Sequence, residues 1–352
     1  MKISRICNLL TIILSLTSTA IAEPPLYFVN QQLTTAQAQS LVTAKPWLMG
    51  GVDHRPIGIY FVCRGLVWAN NPQGYGVAGI QYDLTTPAGI QQLTNDLLAD
   101  AQTCITNIQS VNGQGVIVWD FEGAEANWPV YIGDPKVWNT ISPVIVPIAQ
   151  QWFHAFLNAG LKVGVCLRAD TLQMSNGIPT SQVFYAGTDQ AVDNLSSKVQ
   201  AAHAYGCTLF YVDGVNLNFS QSTYPATYDP YIFQQLMNLY PGDLFIPEEG
   251  GTLGPPPSGF TNSYSCSCPY EILKSPETGN PSNFIGTAVN FPDVLAAYPK
   301  AFSAICLSDG DVYDNYTQLQ NSFQAGDIPL FRCWFTDAAL PYLQKMHAGG
   351  LW

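Results

Sequence analysis

Seven short runs rich in β-branched and aromatic residues alternate with longer stretches of helical period, and this alternation limits the fold more than any other feature of the sequence. The runs are IGIYFVCR (57–64), GVIVWDFE (115–122), LKVGVCLR (161–168), TLFYVD (208–213), DLFIPE (243–248), FSAICLS (302–308) and IPLFRCWF (328–335). Between them lie helix patterns: TPAGIQQLTNDLLADAQTCITNIQS, VIVPIAQQWFHAFLNAG, NLSSKVQAAHAYG, PYIFQQLMNLY and YTQLQNSFQAG. Three of these end at Gly160, Gly206 and Gly326, directly before the next strand, which is the helix-stop chemistry of an αβ connection. Strands that are apolar throughout and separated by helices imply a parallel sheet covered by helices. A less regular strand between Ser263 and Val289 brings the count to eight, which predicts a (β/α)8 TIM barrel. An open doubly wound α/β sheet is the alternative that strand count leaves standing.

The 352 residues, 47% apolar and 11% charged, have an even texture that fits one large globular domain. Residues 1–22 place Lys2 and Arg5 before an apolar run that ends in Ala20-Ile21-Ala22, the pattern of a cleaved secretory signal. The expectation is therefore a secreted protein, extracellular or periplasmic, whose barrel domain occupies 23–352 with a Pro/Gly/Cys-containing loop insertion around 249–290. No later apolar stretch is long enough to span a bilayer, so no stable membrane insertion is expected. A formal net charge of −12 argues against nucleic acid, whose binding needs a basic footprint. Loss of Cys7 with the signal leaves an even number of cysteines, which permits disulfides in an oxidising compartment. Cys63, Cys166, Cys306 and Cys333 lie in strand runs and read as buried thiols, whereas Cys266 and Cys268 sit in a loop where bridging is easier.

The charged residues collect at the C-terminal ends of the predicted strands, where a barrel of this kind carries its active site. Asp120 and Glu122 close the second run, Arg168 and Asp170 the third, and Asp213 the fourth. Glu248 and Glu249 close the fifth, and Asp309 and Asp311 follow the sixth. Residues two apart share a strand face, so Asp120 with Glu122, and Tyr211 with Asp213, are expected to point together towards the barrel mouth. The histidines His54, His154, His203 and His347 form neither His-x-His nor His-Glu-x-x-His, so no metal site is expected. P-loop and dinucleotide fingerprints are also lacking, and no cofactor is expected. CLSDG lacks the first glycine of a serine-hydrolase elbow, and too little chain follows Ser308 for the strands such a fold needs, although Asp327 or Asp337 and then His347 come in the right order. Paired carboxylates remain, and their main candidate chemistry is glycoside hydrolysis. Trp68, Trp128 and Trp138 follow predicted strands, where an indole either stacks on a sugar or packs in the core.

Residues 115–216, through GLKVGVCLRAD and AYGCTLFYVDGVN, resemble the third and fourth strands of the α-galactosidase-like (melibiase) glycoside hydrolases. That resemblance implies a barrel glycosidase with Asp213 as nucleophile and with Asp120 and Glu122 on sugar hydroxyls. Tyr211 stands where that family usually has a lysine. A weaker similarity to α-amylase-like enzymes implies Glu248 as acid/base and Asp309 as a supporting carboxylate, with Tyr211 again replacing a cation. WDFEG is also similar to the Asp-x-Glu strand of lysozyme-like muramidases, which would move catalysis to Asp120 and Glu122. The expected partner is a carbohydrate substrate, with Arg168, Asp170, Tyr211, Glu249, Asp309, Asp311 and Trp128 among its contacts. The competing expectation is a catalytically silent barrel that binds glycans or proteins.

Overall fold

The computed structural model describes residues 53–123, 132–175, 178–185, 188–213, 230–247, 304–306, 328–335, 339–350 and 352. The signal segment, the insertion around 249–290 with its expected eighth strand, and the helix pattern at 316–326 lie outside these residues.

Among the described residues there are nine strands: β1 (Ile57–Phe61), β2 (Gly115–Trp119), β3 (Lys162–Leu167), β4 (Asp170–Ser175), β5 (Ile178–Phe184), β6 (Cys207–Val212), β7 (Leu244–Pro247), β8 (Ala304–Cys306) and β9 (Ile328–Arg332). Seven form one sheet in the order β7-β6-β3-β2-β1-β9-β8, and every pairing in it is parallel. Apart from the β4–β5 insertion and the β7 and β8 edges, strands that follow one another in sequence are neighbours, and β9 returns to pair with β1. A doubly wound sheet instead reverses its strand order at a switch point. Among the described residues this order is that of an incompletely closed parallel sheet, with β7 and β8 as its two ends.

Between the strands run α1 (Pro87–Ser110), α2 (Trp138–Ile141), α3 (Ile145–Asn158), α4 (Thr188–His203) and α5 (Pro230–Leu239), and α6 (Ala339–Ala348) follows β9. Thr86 caps α1 by accepting the Gly89 N–H, and Pro87 occupies the first turn, where its missing donor costs nothing. Gly160 and Gly206 take φ of 76° and 82° after α3 and α4, the left-handed stop expected at those positions.

The strand alternation divides the core in two. Ile57, Ile59, Phe61, Ile117, Cys166, Leu209, Tyr211, Ile246, Ile328 and Leu330 make one buried cluster, on the face of the sheet away from the helices. Their alternates, among them Tyr60, Val118, Val165, Phe210, Phe245 and Phe331, join the larger cluster with Leu93, Trp152, Phe153 and Leu195 of the helices. The period-2 pattern of an α/β strand buried on both faces is therefore satisfied on both sides.

One element departs from the sequence reading. Strands β4 and β5 form an antiparallel hairpin inserted between β3 and α4, with Ser175 opposite Ile178. The sequence signal is the Asn176-Gly177 pair between two alternating runs, a strong two-residue hairpin marker. The cysteines also resolve in one direction: Cys63, Cys104, Cys166, Cys207 and Cys333 are thiols, so no disulfide links the described residues.

Close backbone approach constrains β3. A Cβ on Gly164 would lie 1.7 Å from the Leu209 carbonyl oxygen on β6, and backbone cannot yield as a flexible side chain can. Gly164→Ala is expected to destabilise the fold by about 1–3 kcal/mol or more through overpacking, read as a lowered midpoint in urea unfolding.

Candidate active site

All the sheet strands are parallel, so their C-terminal ends lie together, and alternation decides which side chains enter the space they enclose. On β6 the inward series Leu209, Tyr211 continues to Asp213; on β3 Cys166 leads to Arg168. The two meet. Arg168 donates to Asp213 Oδ2 through Nε at 2.8 Å and Nη2 at 2.6 Å, and the Asp213 N–H donates to the Leu167 carbonyl at 2.8 Å. Both side chains are buried, the Asp213 side chain at 1% exposure. The guanidinium so placed gives the buried carboxylate a counter-charge and two donors on one oxygen.

Beside this pair lies a row of aromatic rings. Tyr211 contacts Trp119 at 5.1 Å between centroids, Trp119 contacts Phe61 at 5.5 Å, and Phe61 contacts Trp334 at 5.7 Å. Trp119 and Trp334 are only half-buried. Arg64 lies over Trp334 at 4.9 Å and is tied to Asp100 and to the Phe61 carbonyl, so its charge is already engaged.

Asp120 and Glu122 do not share a strand face. β2 ends at Trp119, and Asp120 takes φ of 71°, which breaks the alternation on which that expectation rests. Phe121 turns outward against Trp138 at 4.6 Å. Glu122, at 1% exposure, accepts the Asp134 N–H and the Trp138 Nε1–H on Oε1, both at 2.6 Å. Trp138 is thereby a core residue, not a platform. Burial pushes the Glu122 carboxyl up to about 7, with the Trp138 hydrogen bond opposing it. The Asp120 carbonyl accepts from the Cys63 thiol at 3.0 Å, and burial raises that thiol well above its ordinary range.

Asp170 begins the β4–β5 hairpin and faces a lysine that the sequence reading did not single out. Lys198 is fully buried on α4 and donates to Asp170 Oδ1 at 3.1 Å, to the Arg168 carbonyl at 2.7 Å and to the Ile132 carbonyl at 2.9 Å. Burial pushes Asp170 up to about 6 against the pull of Lys198 and Arg168. A legible signal existed for this lysine: with Ala191, Leu195, Val199 and Ala202 it completes the apolar stripe of its helix, where a solvated lysine does not belong. Trp119 and Trp334 were equally readable, as inward positions at strand ends. Glu248, Glu249, Asp309, Asp311, Trp128 and the Ser308, Asp327 and Asp337 set lie outside the described residues. No cluster of metal-ligating side chains occurs among the described residues, and none of the described helices is long and apolar enough to cross a membrane.

The class defined by fold and site is a parallel α/β protein of barrel strand order, with a buried Asp–Arg pair and aromatic rings where its strands end. No protein-family model and no curated protein matches the chain. Similar solved structures include an alpha-L-fucosidase from Paenibacillus thiaminolyticus, with TM-score 0.41 and 13% identity, covering 89% of this chain and 75% of that one. An alpha-L-fucosidase from Lactobacillus casei in complex with alpha-L-fucose product has TM-score 0.38 and 15% identity, covering 90% and 97%. Dihydropteroate synthase from Anaplasma phagocytophilum has TM-score 0.40 and 11% identity, covering 86% and 100%. At scores this low the likeness carries neither fold nor activity to this chain.

The raised Glu122 carboxyl has a consequence for stability. Its folded value of about 7 exceeds the ordinary 4.5, so the folded chain binds a proton that the unfolded chain has released in that window. Its contribution is therefore full below about 4.5 and is lost as pH rises through about 7. Glu122→Gln keeps an acceptor for Asp134 and Trp138 but cannot ionise. The variant is expected to exceed the parent by on the order of 1–3 kcal/mol at pH 8 and to match it at pH 4, read from urea midpoints across pH.

Proposed function

We propose that the protein is a secreted (β/α)8 glycoside hydrolase acting on an oligo- or polysaccharide, with Asp213 as its nucleophile. The observation that carries this reading is the Asp213–Arg168 pair at the end of β6, next to the Tyr211–Trp119 rings. A carboxyl group beside aromatic faces suits a sugar, whose C–H face stacks while its anomeric carbon meets the nucleophile. The resemblance of residues 115–216 to α-galactosidase-like enzymes supports the same assignment.

In this mechanism Asp213 attacks the anomeric carbon as a second carboxyl group protonates the leaving oxygen, and the glycosyl-enzyme is then hydrolysed with retention. Glu248, which follows β7 in the sequence, is the proposed acid/base. Glu249, Asp309, Asp311 and Trp128 are proposed to surround the substrate, and a strand from the segment after β7 to complete the barrel. Retention requires the Asp213 and Glu248 carboxyl groups to stand about 5–5.5 Å apart, whereas inversion needs about 6.5–9.5 Å.

A second reading rests on Glu122, which holds its proton to about 7, as a general acid must. It would place catalysis at Asp120 and Glu122 in the manner of a muramidase. The Glu122 oxygen bonded to Asp134 and Trp138 is committed to the core, which favours the first reading.

Asp213→Asn separates these readings in a screen of 4-nitrophenyl glycosides and cell-wall polysaccharides. Loss of about 10³-fold or more in kcat, with folding retained by circular dichroism, is expected for the nucleophile. Unchanged turnover in this variant, together with its loss in Asp120→Asn, would move the chemistry to β2. Binding of glycans without turnover in the parent would identify a binding barrel.

A further inference from the structure

We propose that Lys198 is a positioning residue for Asp213, acting through the backbone of Arg168; this role rests on the reading of Asp213 as nucleophile. The Lys198 ammonium has three donors and places all three on oxygens near the end of β3. One is the carbonyl of Arg168 itself. Another is the Ile132 carbonyl, which also accepts the Arg168 N–H at 3.2 Å. Arg168 is thus held on both sides of its Cα, by Ile132 through its N–H and by Lys198 through its C=O, and its side chain then holds Asp213.

The surroundings leave little slack. Gly133, with φ of 66°, sets the 132–134 segment so close to β3 that a Cβ there would lie 2.0 Å from the Cys166 carbonyl oxygen. Tyr185 donates its N–H to the Ala169 carbonyl at 2.9 Å, and the Asn194 side chain donates to the Asp170 carbonyl at 3.0 Å. Every bond of Lys198 therefore falls on a backbone already fixed by neighbours, except at Asp170, where it meets a side chain. Lys198, Asp170, Arg168 and Asp213 alternate in charge from the helix layer to the strand ends. A buried ammonium must place all three donors on acceptors, and two of those found here are carbonyls that bracket the residue gripping Asp213.

The test is the paired substitution of Lys198→Met with Asp170→Leu. It removes both buried charges together, so no lone charge is left in the core, and such exchanges of ion pairs for apolar groups are commonly well tolerated. A stable protein is expected in which the crystal structure shows Arg168 withdrawn from Asp213 Oδ2. On a 4-nitrophenyl glycoside that the parent cleaves, kcat is expected to fall by roughly 100-fold with KM little changed, the signature of a misplaced reacting group. Retention of both Arg168 contacts to Asp213, or an unchanged kcat, would overturn the proposal. The single variant Asp170→Asn leaves both carbonyl bonds of Lys198 in place. Retention of the Arg168–Asp213 contacts there supports the backbone clamp, and their loss would show that the ion pair does the positioning instead. If the parent cleaves no glycoside, the functional reading fails and the crystal structures alone decide the role of Lys198.

Discussion

Parallel pairing of β1 with β2 on one edge and β9 on the other is the constraint from which the rest of the molecule follows. Parallel neighbours require a crossover after each strand, and the crossovers supply the helices that cover one face. The same rule sends all seven strands of that sheet in one direction, so residues distant in sequence reach one end of it. Asp213 and Arg168, 45 positions apart, meet for that reason. At the opposite end Lys162, Gln114, Asp53 and Arg55 hydrogen-bond one another across the strand starts. That end is tied by polar groups which bond one another, a stabilising arrangement, whereas the other end presents aromatic rings.

What the sequence makes legible is whatever depends on local period and on glycine. The strands at 57–61, 115–119, 162–167 and 207–212 and the left-handed stops at Gly160 and Gly206 follow from patterns contained in a few residues. The parallel α/β arrangement was readable as well, because alternating units with apolar strands imply it. Fine orientation at strand ends was less accessible. Asp120 looked like the inward partner of Glu122, yet a single positive φ turns the chain and sends Glu122 into the helix layer. That choice depends on where the Trp138 indole and the Asp134 amide lie, and both are set by tertiary packing.

The charges divide along the same line. Arg168 and Asp213 were visible as ionisable residues where strands end, and their alternation told which way they face. Lys198 is buried on a helix that otherwise reads as an ordinary amphipathic segment, and its partners come from three separate segments. Periodicity reveals that this lysine is on the wrong face but not what it touches. Buried ion pairs of this kind are a poor source of net stability, because desolvation offsets much of their attraction. The hairpin β4–β5 shows the same limit from another side: its Asn-Gly marker is local, but its position between β3 and α4 serves to bring Asp170 to Lys198.

The return of β9 to β1 also orders events in time. β1 is synthesised early, with all five of its residues destined for burial, but one of its edges finds its partner only after Ile328 has been made. For most of synthesis that strand has a bare edge of amide and carbonyl groups flanked by apolar side chains, the kind of surface that recruits other strands. Contacts of such sequence separation form slowly, since the long loop must be closed before the pairing repays its entropy. The finished molecule has hidden this edge, but the nascent one must keep it from other chains until its last strand arrives.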